Sequence, residues 1–354
     1  MGTRIVTFET NQQFAELWSK FTLGHPEAGF GHLPGVFDLA KAAPHVKDRS
    51  LLVLDERDQP IAALPLFDSP TKKLRVVPWR VLVSSIEFPG GPLFASGMTG
   101  KQRDEMLESL VGEAKNIARQ QGTSAIHISY PTVIGDVLAV DSLRYYPLRQ
   151  LGFTEENNVS MVLDLRPEPD KLLGGLNKSC RGAIKKARDM GAECRLITRK
   201  ADWMSCFALN TKTLGALSDS KEWMSVAWDS FVGTGSGFAM ACYWQDAIVG
   251  VVLCVTTGSS CYYWKSYRQQ ELGLTGANNL TLWEAILHSK ASGARHFELG
   301  SLDFGNDKQA GISKFKQSFG GSAVYQLRGT LYCHQTRRAF IDLVEALRAR
   351  GRQN

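Results

Sequence analysis

The 354-residue chain repeats one order of elements in its two halves, and this repeat constrains its fold more than any other feature. In the first half, "SLLVLDERDQPIAALPLF" places two apolar runs around a polar turn at Asp55 to Gln59, the signature of a hairpin. "GFAMACYWQDAIVGVVLCVTTGSSCYYWKSY" repeats that shape in the second half, with its turn at Gln245 and Asp246. A helix follows each: "TGKQRDEMLESLVGEAKNIARQQG" starts behind Thr99 and stops at Gly122, and "NNLTLWEAILHSKASG" starts behind Asn278 or Asn279 and stops at Gly293. Short strands come next, "SAIHISY" and "RHFELGS", and each half closes with a short helix and a strand.

Two copies of an α/β unit account for the length, each a mixed central sheet flanked by helices. Pro167 and Pro169 interrupt the chain between them, so the boundary is expected near Arg166. The expected division is 1–166, 167–335, and a basic C-terminal helix over 336–354. Leu176, Ile184 and Ala187 recur at helical spacing beneath the basic run "NKSCRGAIKKAR", which opens the second unit.

Composition narrows the class. The chain is 44% hydrophobic and 21% charged, enough for a full core, and no apolar run reaches the roughly 18 residues that span a bilayer. A cytoplasmic protein without a membrane span is the expectation. Seven scattered cysteines without a Cys-x-x-Cys pair read as reduced thiols, and no metal site is expected. The net charge of +6 permits a polyanionic partner and falls short of demanding one.

Three stretches carry a resemblance. "LGFTEENNVSMVLDL" runs into "LLGGLNKSCRGAIKKARDMGAECRLI"; "ASGARHFELGS" joins a helix to a strand through glycine; and "GISKFKQSFGG" reads as G-x-x-x-F-K-x-x-F-G. "SIEFPGGPLF" adds a Gly-Gly-Pro segment. In this order they resemble the FemAB-like family of the GNAT acyltransferase superfamily, in its compact form, because no heptad run for a coiled-coil arm appears between Gly191 and Phe238. The resemblance implies tandem GNAT-like domains and amide formation, with an activated acyl group moved to an amine. In Fem proteins the donor is aminoacyl-tRNA and the acceptor a peptidoglycan precursor; in ordinary GNAT enzymes the donor is an acyl-coenzyme A.

The donor loop bears on that choice. A coenzyme A site needs a strand, a Q/R-x-x-G-x-G/A turn and a helix N-terminus to receive the pyrophosphate. Gln270-Glu271-Leu272-Gly273-Leu274-Thr275 departs from the pattern at its last position, and Glu271 adds an unfavourable charge. Aminoacyl-tRNA is therefore the expected donor co-substrate, without a resident cofactor, and a coenzyme A or carrier-protein thioester is the alternative.

The resemblance assigns Lys316 to the reacting ester, as a cation for the developing oxyanion or for the tRNA terminus, with Phe315 shaping the pocket or stacking on the terminal adenine. The residues alone also allow a lysine snorkelling out beside Phe315 and Phe319. Asp303 is the candidate general base, and Glu298 and His296, which share one face of their strand, are further candidates. Turn chemistry alone explains Asp303 and Asp307 equally well. Arg181 and Lys185, four apart on one helix face, are candidates for phosphate or RNA, or are a solvated face. Tyr263, Lys265 and Arg268 line an acceptor groove or belong to the core.

Three functions of different class follow: transfer of an aminoacyl group from aminoacyl-tRNA to a peptidoglycan precursor or natural-product amine, an acyl-coenzyme A-dependent or acyl-carrier-dependent N-acyltransferase, and a non-catalytic nucleotide- or RNA-binding tandem module.

Overall fold

The computed structural model describes residues 2–43, 45–73, 77–139, 147–215, 219–269, 274, 276–334, 338, 339 and 344. The chain forms two compact units that are interleaved in sequence. One comprises Met1–Pro131, Asp141–Asn157 and Leu327–Asn354, the other Thr132–Val140 and Asn158–Gln326. This differs from a single cut near Arg166: the strands Thr154–Asp164 and Ser322–Tyr332 each change unit partway along their length. Most of the 336–354 segment lies outside the described residues.

The first unit contains the antiparallel sheet Arg4–Thr7, Leu51–Leu54, Pro60–Leu64, Leu93–Phe94. The hairpin at its centre turns where expected, because the Asp55 carboxylate accepts from the Arg57 and Gln59 amides and Asp58 takes a positive φ of 57°. Phe14, Trp18, Leu52, Leu54, Ala63 and Leu93 pack its core. Val77–Val83 and Ala125–Ser129 pair in parallel, joined by the crossover helix Gly100–Gln121. Thr99 and Gln102 close a reciprocal capping box at the start of that helix, and Gly122 ends it in the left-handed conformation.

In the second unit Glu193–Ile197, Gly237–Trp244, Ala247–Thr257 and Ser260–Arg268 form an antiparallel succession. Gln245 and Asp246 both adopt positive φ, as a two-residue hairpin turn requires. Ser260–Arg268 then pairs in parallel with His296–Ser301 through the helix Ala277–Ala291. That ladder covers only Ser260 to Tyr262 against His296 to Glu298, so the rest of the two strands is unpaired with one another among the described residues. His296–Ser301 pairs on its other side, antiparallel, with Ser160–Asp164.

The helix begins two to three residues earlier than the asparagines suggested: Gly276, at φ 91°, is its cap. Asn278 instead accepts from the Ser266 hydroxyl at 2.9 Å, and Asn279 donates to the Cys180 sulfur at 3.3 Å. Leu280, Leu282, Trp283, Ala285 and Ile286 are buried on this helix, against Leu176, Ile184 and Ala187 of the basic segment and Phe297 and Leu299 of the strand. The apolar positions read from the sequence thus form the second core, and the charges above them face outward. Among the described residues no helix is long and apolar enough to cross a membrane, and no group of His, Cys, Asp or Glu is arranged to hold a metal ion.

Candidate active site

The second unit gathers its chemistry at the end of the His296–Ser301 strand, where strands of an open α/β sheet present ligands. The chain leaves the strand through a short loop and enters the helix Asp307–Gln317, capped by Asn306, whose side chain accepts from the Gln309 amide at 3.0 Å. Ser313, buried on that helix, ties it back to the loop: its hydroxyl accepts from the Asp303 amide at 2.8 Å and donates to the Asp303 carbonyl at 2.7 Å. One turn further along is Lys316.

Two glycines fix how closely this helix end approaches its surroundings. Gly320 and Gly321 have φ of 75° and 87°. A Cβ on Gly320 would stand 2.6 Å from the Gly175 carbonyl oxygen, and one on Gly321 2.5 Å from that of Val162. Only glycine accepts both the backbone angle and the contact. Phe319 is buried in the core and meets the Phe315 ring edge-on at a centroid distance of 5.2 Å, with Phe315 half-buried beside it.

Lys316 therefore rises from a fixed helix end. Its ammonium donates to the Ser301 carbonyl at 2.7 Å. Burial lowers its pKa from 10.5 to about 8, and the charge of Glu298 partly offsets that effect. Glu298 is 1% exposed. One of its oxygens accepts from the Thr132 hydroxyl at 2.7 Å and the Ser160 hydroxyl at 2.9 Å, while Oε2, equally buried, has no hydrogen-bond partner. Burial raises the Glu298 pKa against the effect of those hydroxyls. An ammonium that titrates close to neutrality, next to a buried carboxylate, can donate a hydrogen bond to an oxyanion and release its proton to a leaving oxygen.

The other candidates lie in different surroundings. Asp303 is exposed, and its carboxylate accepts from the Gly305 amide at 2.8 Å, which is turn chemistry. Arg181 donates to the Gly174 carbonyl at 3.0 Å and to that of Leu176, anchoring the turn before its own helix. Lys185 pairs with Asp189 at 2.5 Å on the solvent side. Both are on the helix predicted, with local partners. Tyr263 is half-buried against the core, and burial pushes its hydroxyl up to about 12. Lys265 pairs with Asp219 at 3.2 Å and stands 4.3 Å from the centroid of the Trp223 ring. Arg268 is exposed, and its backbone exchanges hydrogen bonds with the Thr213 hydroxyl. His296 is buried with its pKa lowered by that burial, 3.9 Å from Asp136.

Four residues of the cluster carried no sequence signal as a site: Thr132, Ser160, Ser301 and Ser313. All are common polar residues; Thr132 and Ser160 stand 166 and 138 positions from Glu298, while Ser301 and Ser313 act across 15 and 10 positions through the loop between strand and helix.

Gln270 to Gly273 and Thr275 of the coenzyme A loop lie outside the described residues. At the helix start itself, a Cβ on Gly276 would stand 2.2 Å from the Ala183 carbonyl oxygen. A backbone oxygen thus lies where a side chain would stand, so that only glycine fits at this cap.

Residues 176–317 match the acetyltransferase (GNAT) domain family. Across the chain the fold is similar to that of FemX, at 15% identity over 96% of this chain and 100% of that one, with a TM-score of 0.67. It is also similar to the C-terminal domain of a putative lysylphosphatidylglycerol synthetase from Agrobacterium fabrum (11% identity, 90% and 92% of the two chains, TM-score 0.59). A tandem GNAT protein from the clavulanic acid biosynthesis pathway is similar at 14% identity over 94% and 99%, with a TM-score of 0.52. No curated protein matches the chain. The fold is accordingly similar to that of FemX and of a tandem GNAT protein.

Proposed function

We propose that this protein forms amide bonds by moving an aminoacyl group from aminoacyl-tRNA to an amine acceptor, a peptidoglycan precursor or a natural-product intermediate, with Lys316 at the reacting ester. The observation that carries the reading is the Lys316 ammonium itself, fixed on Ser301 at the end of the strand and titrating near pH 8. The acceptor nitrogen attacks the ester carbonyl; the Lys316 ammonium donates to the oxygen that becomes negative. As the bond from carbonyl carbon to ribose oxygen breaks, Lys316 releases a proton to that oxygen and recovers one from the acceptor nitrogen. The products are an amide and a free ribose hydroxyl. Phe315 shapes the pocket or stacks on the terminal adenine of the donor. The departure of Gln270-Glu271-Leu272-Gly273-Leu274-Thr275 from the pyrophosphate-loop pattern supports a donor other than coenzyme A.

In this reading Arg181 and Lys185 serve the basic helix as anchor and solvated charge, and Asp303 serves the turn; none is required as a general base. The test is donor binding at one fixed, moderate salt concentration, because RNA affinity depends steeply on salt. Charged bulk tRNA should bind in preference to uncharged, with the preference reduced in Lys316→Ala. Saturable acetyl-coenzyme A binding with indifference to tRNA charging would overturn the donor assignment.

A further inference from the structure

Cys194 and Cys242 stand directly opposite one another in the antiparallel pair Glu193–Ile197 and Gly237–Trp244, whose ladder runs without a bulge from Glu193 and Tyr243 to Ile197 and Ala239. Residues opposed in this way send their side chains to the same face of the sheet. Here that face is the one covered by the helix Ala277–Ala291. A Cβ on Gly250, which opposes Cys242 from the other side, would stand 4.0 Å from the Cys242 Cβ and 3.3 Å from the Thr281 hydroxyl of that helix. Cys194 packs against the same core, which contains Cys242 and Leu280. Both thiols are free.

Directly opposed residues have Cβ atoms about 4.5–5.5 Å apart, and a disulfide needs about 3.5–4.5 Å, so closure asks for a movement of about 1 Å. The strand Glu193–Ile197 can supply it, because it is the outermost of its sheet and, among the described residues, pairs on one side only. Access differs between the two thiols: Cys242 is fully buried, whereas Cys194 is half-buried and open to a small oxidant.

The remaining cysteines are placed differently. Cys254 opposes Tyr263 and Cys261 opposes Thr256, so these two are diagonal neighbours, at about 7–8 Å, where a disulfide spans at most about 7 Å between Cα atoms. Both are also sealed from solvent. Cys180 receives a hydrogen bond from Asn279, Cys206 donates to the Asp202 carbonyl, and Cys333 belongs to the first unit.

We propose that Cys194 and Cys242 are a redox-modification site, closing to a reversible disulfide when the protein meets a peroxide. The Cys194 sulfur attacks one peroxide oxygen; an S–O bond forms, the O–O bond breaks, and the thiol proton leaves with the other oxygen as water. The Cys242 sulfur then attacks the Cys194 sulfur; the S–S bond forms, the S–O bond breaks, and a second water carries off the Cys242 proton. Two thiols are oxidised and one peroxide is reduced. A bond compressed to this length is strained and readily reduced again, the property of regulatory disulfides. It ties together the two ends of the segment that carries the helices Lys200–Ser205, Phe207–Leu214 and Lys221–Ala227.

The test maps the bond. The full chain, reduced with dithiothreitol and desalted, is treated while folded with a few equivalents of hydrogen peroxide, and catalase then removes the excess. Remaining thiols are alkylated in urea with iodoacetamide, and the protein is digested without reduction by trypsin and chymotrypsin. Cleavage after Arg188 separates Cys194 from Cys180, and cleavage after Tyr243 separates Cys242 from Cys254. Mass spectrometry should find most of the protein with a cross-linked pair of peptides carrying Cys194 and Cys242, lighter by two hydrogens than its parts and lost on dithiothreitol treatment. Cys254 and Cys261 should be recovered alkylated. In Cys194→Ser the cross-link should be absent and Cys242 alkylated; if that variant does not fold, the wild-type map decides alone. Recovery of wild-type Cys194 alkylated or as sulfinic or sulfonic acid, with Cys242 alkylated, would overturn the proposal, as would a cross-link joining either residue to another cysteine.

Discussion

Replacing Lys316 by methionine should make the protein more stable while abolishing its chemistry. Methionine preserves most of the apolar stem and removes the ammonium that burial disfavours. The lysine's fall from 10.5 to about 8 corresponds to about 3 kcal/mol of cost carried by the folded state at neutral pH. Loss of the hydrogen bond to the Ser301 carbonyl reduces the benefit, leaving a net stabilisation on the order of 1–2 kcal/mol for Lys316→Met at pH 7. The sign follows from proton binding. The folded pKa lies below the unfolded one, so between pH 8 and 10.5 the unfolded chain binds more protons, and wild-type stability gains on the variant as pH rises through that window. Urea denaturation of both proteins at pH 7 and at pH 10.5, followed by tryptophan fluorescence, measures the difference. A variant less stable than wild type at pH 7, or an advantage of equal size at both pH values, would refute the argument that the site holds Lys316 against its desolvation.

Gly320→Ala places a Cβ 2.6 Å from the Gly175 carbonyl oxygen at a positive φ, and should cost more than about 2 kcal/mol while lowering activity through displacement of Lys316; thermal melting and the transfer assay together check both effects. In the first unit, the His127 ring, the Thr330 hydroxyl and the Arg328 guanidinium hold Glu156 down to about 2. That carboxylate is partly exposed, so its contribution is discounted to about 1–2 kcal/mol, present above pH 4.5 and lost as pH falls toward 2. Acid denaturation of Glu156→Gln should lack this part of the wild-type pH dependence.

The features legible in the sequence were those specified by neighbouring residues. The turns at Asp55 to Gln59 and Gln245-Asp246 are set by side chains and backbone angles within a few positions. So are the caps at Thr99 and Gly122. Ile184 and Ala187 are readable as a buried stripe because helical periodicity is local; Leu176 is buried with them from extended backbone before the helix. The helix before His296 was misplaced at its start because asparagine is a common cap; here tertiary contacts to Ser266 and Cys180 use both asparagines, and the glycine before them ends the loop.

Spacing correctly put Arg181 and Lys185 on one helix face, yet spacing says nothing of partners. A carbonyl turn and Asp189 take those charges in the structure. Lys316 was conspicuous as a cation among phenylalanines, while the buried hydroxyls around Glu298 depend on a strand register that no local pattern encodes. The exchange of strand segments between the units was hidden for the same reason, because Pro167 and Pro169 mark a change of local structure and not the limit of a core.

The most direct measurement is transfer itself. Purified protein is mixed with bulk tRNA carrying radiolabelled amino acids and with dilute hydroxylamine as a generic amine acceptor, and formation of the labelled hydroxamate is counted above the uncatalysed rate. The account predicts protein-dependent product that requires aminoacyl-tRNA, is not supported by acetyl-coenzyme A, and falls by about 10²–10³ in Lys316→Ala, the scale of losing one oxyanion donor. Product formed equally well by Lys316→Ala, or formed only from the thioester, would contradict it.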